Sequence, residues 1–213
     1  MTRFGGHIAC AMGAVAAAAL MAPAPANAQK VLKVVPQADV RVLDPFVNNS
    51  GITTEFAYMV YDVLLAVDKD ERPQPQMAES FNVSADGLTM VFHLRDGVTF
   101  SDGHPLTAED VAFTFEWVRN PEVNAPRERA YMTTLKEVKA LDARTVRFVF
   151  SDAYFMNFET AGTMGIMAKH FYSRFKPAEF NEKTGLLIGS GPYMLENPET
   201  WTPGNGVTLH RNP

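Results

Sequence analysis

The stretch SFNVSADGLTMVFHLRDGVTFSDGHPLTAEDVAFTFEW, Ser80 to Trp117, decides how the rest of the chain is read. Its first half alternates. Phe81 and Val83 point one way, Ala85-Asp86-Gly87 turns the chain, and Leu88, Met90, Phe92 and Leu94 alternate again, which is a β-hairpin pattern. Asp-Gly recurs at Asp86-Gly87, Asp96-Gly97 and Asp102-Gly103, each a turn in which glycine supplies positive φ. Then the period changes. Thr107 precedes an apolar run of helical spacing, and Asp110 follows three residues later, a capping box with aspartate in place of Glu or Gln. The Thr107 hydroxyl is expected to accept from the Asp110 amide. Glu109 and Asp110 place negative charge on the positive end of the helix, worth about 0.3–1 kcal/mol each. Val111, Phe115 and Val118, with Ala108 behind them, form the face to be buried.

The same stretch crowds Ser101, Asp102, His104, Glu109 and Asp110 together. Such a run raises the question of catalysis or metal binding. There is no H-E-x-x-H and no histidine pair at i, i+4, and His93, His104, His170 and His210 stand apart in the sequence. A triad is assembled by the fold, so closeness in sequence is not evidence for one. The polar residues other than His104 are expected to serve the turn and the cap. An alternative kept open is a secreted hydrolase using Asp102, His104 and a remote partner. The main reading assigns no catalytic residue, metal or cofactor.

Outward from this centre, the chain opens on an export signal. MTRFGGH carries Arg3, IACAMGAVAAAALMA is a short apolar run, and PAPANA ends in Ala26-Asn27-Ala28. That is a secretory signal peptide spanning residues 1–28, with the mature chain starting at Gln29. The apolar run falls short of the ~20 residues that span a bilayer. The single cysteine, Cys10, lies inside that run, so the mature chain has no disulfide framework and no thiolate metal site. Export without disulfides points to a bacterial periplasm or cell exterior. The remaining stretch, roughly 185 residues, is long enough to bury a stabilising core. The net charge of −5 carries no electrostatic footprint for nucleic acid. Phe113, Phe115 and Trp117, with no basic groove about them, are expected in the core.

VLKVVPQ, Val31 to Gln37, reads as a buried strand. TTEFAYMVYDVLLAVD reads as a helix with Thr53 or Thr54 as N-cap. LKEVKALDARTVRFVF is a second hairpin, with the turn at Leu141 to Arg144. AYFMNFETAG reads as a short helix, GIMAKHFYSRF as a brief strand running into a helix, and SGPYMLEN and GVTLHRN as two more strands. The mixture is α+β, a mixed α/β architecture rather than a regular βαβ series.

Two places are candidates for ligand contact. Asn48, Asn49, Ser50 and Gly51 stand ahead of a helix start, where amide side chains and free backbone N–H groups hold a carboxylate. A capped loop is the plainer account of the same residues. In LIGSGPYML, Leu187 to Leu195, the glycines allow a tight turn or a close backbone approach beside a cleft, with Ser190 and Tyr193 as contact residues. This segment is not a phosphate cradle, since it lacks G-x-G-x-x-G and the P-loop lysine.

Taken in order, LDPF, the block from YDVLLAVD to RNP, VKALDARTVRFVF, GSGPYML and VTLHRNP resemble the peptide/nickel-type (family 5) extracellular solute-binding proteins of ABC importers. The resemblance runs from about Val31 to Pro213. Ser190 stands where members often carry threonine in G-T-G-P-Y. The resemblance implies the first lobe of a type II periplasmic-binding fold, with hairpins and flanking helices. It implies capture of a small-molecule or peptide ligand, typically a di- or oligopeptide, for delivery to an inner-membrane ABC permease by a monomeric periplasmic protein. Members usually run to about twice this length, so residues 29–213 are expected to be a truncated N-terminal lobe with the second lobe absent. The third possibility is a stand-alone exported interaction module.

Overall fold

In a computed structural model the described residues are 31–47, 50–70, 72–183 and 186–213. The signal-peptide assignment, Asn48 and Asn49 therefore lie outside the described residues. The element order among those described is helix α1 (Gly51–Val60), strands β1 (Leu65–Val67), β2 (Pro73–Pro75), β3 (Ala78–Val83) and β4 (Thr89–Leu94), helices α2 (Ala108–Arg119) and α3 (Pro126–Tyr131), strands β5 (Leu135–Ala140) and β6 (Thr145–Phe150), helices α4 (Asn157–Gly162), α5 (Lys169–Tyr172) and α6 (Pro177–Asn181), and strands β7 (Tyr193–Leu195) and β8 (Leu209–Arg211). Residues 36–213 make one unit.

The two hairpins form where the alternation places them. They join through β4 and β6 into an antiparallel sheet of order β3-β4-β6-β5. Met90, Phe92 and Leu94 of β4 and Val146, Phe148 and Phe150 of β6 are buried, because side chains two apart share a face. Phe81 pairs with Phe92 as the alternation requires, but Val83, on the edge strand, stays 43% exposed.

Helix α2 covers this sheet. Ala108, Val111, Phe115 and Val118 are fully buried, and the Phe115 ring meets Phe148 edge-on at 4.9 Å. The capping box is present. The Asp110 carboxylate does most of the work: its Oδ2 accepts from the Thr107 amide at 2.8 Å and from the Thr107 hydroxyl at 2.9 Å. Its Oδ1 accepts from the Lys169 amide at 2.9 Å, tying α5 to the start of α2. Phe115 is core and Trp117 packs against it, with Phe113, as expected.

Several expectations change. Val31 to Gln37 forms no strand: Val31, Leu32, Val34 and Val35 are exposed and have no ladder partner among the described residues. A β-rich run without a neighbouring strand has nothing to pair its backbone with. The helix expected to run to Asp68 stops at Val60, and Leu65–Val67 instead pairs with Pro73–Pro75. Its N-cap is Ser50 rather than Thr53 or Thr54; the Thr53 hydroxyl donates to Val42 O at 2.6 Å and that of Thr54 to Ser50 O at 3.2 Å. Residues 165–168 are not a strand, although Ile166, Met167 and Ala168 are buried. Their polar groups are served singly instead, as by the Thr114 hydroxyl, which accepts from the Met167 amide at 2.9 Å. Tyr193–Leu195 and Leu209–Arg211 are strands, as read, and they pair antiparallel with each other.

Candidate functional site

The end of α1 is where distant parts of the chain converge. Tyr61 leaves the helix into the extended region, and its ring packs edge-on against Phe46 at 5.5 Å. Its hydroxyl hydrogen-bonds that of Tyr172, and the Tyr172 hydroxyl also donates to Leu186 O at 3.2 Å. Burial, more than the neighbouring groups, pushes both phenols above their ordinary pKa. Asp44, from LDPF, lies in the same interior. Burial raises its carboxyl to about 7, against the lowering effect of backbone hydrogen bonds from Phe46 and Val47. Its Oδ1 accepts from the Phe46 amide at 2.8 Å, while Oδ2 has no partner among the described residues.

Gly189 and Gly191 press on the same point. The Gly191 amide donates to Val60 O at 2.8 Å, and a Cβ on Gly189 would lie 2.1 Å from that oxygen. The close approach read from GSGPY is therefore real, and its target is the last carbonyl of α1. Ser190 lies between the glycines with its hydroxyl buried, outside hydrogen-bond geometry but near enough to Asp62 to favour its anion. Burial nevertheless leaves the Asp62 carboxyl raised; Gln76 Nε2 donates to it at 2.8 Å.

Open space runs along α1 from its N-terminal end. A cavity of about 490 Å³ is lined by Phe46, by Gly51, Thr54, Glu55 and Tyr58 of α1, by residues of α3 including Arg127, and by Glu159 and Thr160 of α4. Tyr58 is 71% exposed, a large apolar surface standing free beside the cavity. No acidic residue occupies the first turn of α1, so nothing there cancels the positive end of its dipole. Of the sequence-read candidates, Gly51 lines this cavity; the Ser50 hydroxyl is engaged with Thr53 at 2.9 Å. Ser190 and Tyr193 do not line it. The arrangement brings Gly51 to the cavity and leaves the 189–193 segment at the opposite end of α1. Sequence reasoning missed Tyr58, Arg127 and Glu159. Their only signal was polarity or aromaticity on a helix face, which does not distinguish a ligand contact from a solvated surface.

Asp102 and His104 do come together, with Oδ1 to Nδ1 at 3.3 Å, but a second imidazole joins them: His170 Nε2 lies 2.6 Å from Asp102 Oδ2. Burial raises the Asp102 carboxyl, yet hydrogen bonds from His170 and the His104 amide outweigh it and leave the carboxyl below its ordinary value. No hydroxyl hydrogen-bonds either imidazole among the described residues, so the nucleophile that a hydrolase would need is not in evidence there.

Comparison with known proteins agrees with this architecture. Residues 72–213 match the family of bacterial extracellular solute-binding proteins, family 5 Middle. The chain belongs to that family. It is 31% identical over 217 residues to a probable peptide ABC transporter periplasmic-binding protein of Sinorhizobium fredii, covering 94% of this chain and 38% of that relative. The ABC transporter substrate-binding protein CtaP of Listeria monocytogenes superposes with a TM-score of 0.70 at 32% identity, over 81% of this chain and 35% of CtaP. The oligopeptide-binding protein AppA of Bacillus subtilis, solved with a nonapeptide, superposes with a TM-score of 0.70 at 26% identity, over 82% of this chain and 34% of AppA. The mixed helix-and-sheet fold is of the type II periplasmic-binding kind, and the chain spans well under half the length of these relatives.

Proposed function

We propose that this chain is the N-terminal portion of the solute-binding component of an ABC importer, and that the cavity beside the α1 N-terminus is one wall of its peptide-binding cleft. The observation that carries the reading is the family match, joined to a cavity lined by both signs of charge. Arg127 faces the cavity together with Glu55, Glu128 and Glu159, and the uncancelled dipole of α1 opens beside Gly51. A zwitterionic peptide offers a carboxylate to the helix start and an ammonium to the carboxylates. Tyr58 supplies apolar surface of the kind that buries a side chain. The relative in Sinorhizobium fredii is named a probable peptide ABC transporter periplasmic-binding protein, and AppA was solved holding a nonapeptide, which supports the ligand class. In this reading the protein is exported, its signal peptide is cleaved after Ala28, and it works in the periplasm as a monomer. It hands its ligand to an inner-membrane permease and makes or breaks no covalent bond. Asn48, Asn49, Ser50 and Gly51 are the contact candidates at this cavity, while Ser190 and Tyr193, marked as contacts from the sequence, do not line it.

The test has two arms. The reading frame is followed past the codon for Pro213; continuation to the length of the relatives supports a larger binding protein, and an immediate stop supports a stand-alone module. The continued protein is then incubated with a mixture of di-, tri- and nonapeptides and examined by native mass spectrometry. A retained peptide is expected. Retention of none overturns the proposal.

A further inference from the structure

The turn ahead of α2 and the start of α5 bring an aspartate and two histidines to one spot. Asp102 and His104 flank Gly103, whose φ of +85° folds the turn back on itself. The His104 amide donates to Asp102 Oδ1 at 3.2 Å, and the Phe100 amide donates to His104 O at 2.8 Å, closing the loop. His170 arrives from α5, 68 residues on, with Nε2 on Asp102 Oδ2. The two imidazoles stack with centroids 4.0 Å apart and planes 23° apart, and the buried Phe100 ring lies 5.7 Å from His170. One ligand atom from each of Asp102, His104 and His170 lies within 4.8 Å of the others.

The backbones that carry these groups are fixed. The Ser101 amide donates to Gly189 O at 2.9 Å, Thr99 bridges Pro105, and α5 is held to α2 by the Lys169 amide on Asp110 and by Lys169 Nζ on Glu109 at 2.7 Å. A stacked histidine pair explains itself poorly as fold support, since the His104 side chain is 60% exposed and Asp102 already ties α5 through His170 alone.

We propose that Asp102, His104 and His170 form a surface site for a divalent transition-metal ion. Metal–nitrogen and metal–oxygen bonds of about 2.0–2.2 Å place neighbouring ligand atoms roughly 3–4 Å apart, so the observed cluster closes on an ion through small side-chain rotations. Two imidazoles and one carboxylate select zinc, nickel or copper over magnesium or calcium, which favour all-oxygen sets. The ligands come from one side, and the exposed edge leaves positions for water or for a donor atom of an incoming chelator. None of the three residues lines the cavity beside α1, so the site stands independently of the peptide-binding reading.

The test is titration of the untagged chain with zinc chloride and, separately, nickel chloride by isothermal calorimetry, with cobalt(II) absorption as a second readout. One ion per chain is expected, with visible cobalt bands that report nitrogen ligation. His104→Ala and His170→Ala are each expected to weaken binding by about tenfold or more, since loss of even an outer-shell partner of a ligand costs that much. His93→Ala and His210→Ala are the controls and leave it unchanged. Should His170→Ala fail to fold, His104→Ala decides alone, since its exposed side chain anchors no core. Absence of binding, or binding unaltered by His104→Ala, overturns the proposal.

Discussion

Gly191 donates its amide to the carbonyl of Val60 at 2.8 Å, so the last third of the chain is bonded directly to the end of the first helix. The contact is backbone to backbone, and it leaves no room for a side chain at either flanking glycine. A Cβ at Gly189 would stand 2.1 Å from Val60 O, and one at Gly191 would stand 2.7 Å from Val60 C. Gly189→Ala is therefore expected to destabilise the protein by about 3 kcal/mol or more, as overpacking against rigid backbone does. The measurement is the urea midpoint. Gly206→Ala, at a position with open space around it, is the control and should move it little.

Asp44 gives stability a pH dependence with a defined sign. Its carboxyl is raised from 3.8 to about 7, so between these values the folded state holds a proton that the unfolded state has released. Stability from this group is complete below pH 4 and falls as pH rises towards 7, by up to about 4 kcal/mol. Asp44→Asn should flatten the difference between unfolding free energies measured at pH 5 and pH 8. An unchanged slope in that variant would show that the carboxyl ionises normally.

Asp110 joins the start of α2 to α5 through three accepted hydrogen bonds. Asp110→Ala leaves the Thr107 and Lys169 amides without their acceptor and should cost about 2–4 kcal/mol, while Thr107→Ala, which keeps the carboxylate, should cost about 1 kcal/mol. Thermal denaturation of the two variants distinguishes them. Equal losses would mean that the carboxylate's bonds to the Thr107 and Lys169 amides contribute nothing.

In the proposed reading, residues 29–213 alone offer one wall of a cleft. They are expected to bind dipeptides and tripeptides more weakly than micromolar, because groups on the opposite wall would be missing from every contact pair. Calorimetry showing micromolar or tighter binding by this segment would sink that expectation.

His104→Ala should change no esterase or peptidase rate, since the binding reading has no turnover to lose. A general hydrolase screen of the untreated chain and the variant checks this. Turnover that disappears with His104 would revive the hydrolase alternative.

The parts of the fold legible in the sequence are those in which local pattern and tertiary demand agree. Leu88 to Leu94 and Val146 to Phe150 alternate because one face of the sheet is buried, and Thr107 to Val118 shows a cap and a helical stripe because α2 lies on that sheet. Where the two disagree, the pattern misleads. Val63 and Leu64 continue the helical spacing of α1, but Gly189 and Gly191 occupy the space beyond Val60, and the chain turns into β1. Val31 to Val35 has strand composition without a partner strand. The candidate site was half legible. Gly51 was marked by the helix start, whereas Arg127 and Glu159 reach the cavity from helices too short to have a readable period. His104 and His170 looked solitary because 66 positions separate them and only the fold closes that interval.

The sheet order β3-β4-β6-β5 also bears on how the chain assembles in time. Each outer pair is a hairpin closed by a short turn, so its ends meet after little search, and the β4–β6 seam then joins two preformed units. The 186–213 segment has no such shortcut: its anchor, Val60, emerged from the ribosome more than a hundred residues earlier. During synthesis the sheet and α2 therefore have the means to settle first, and the glycine junction at Val60 closes after them, as the step that commits the β7–β8 pair.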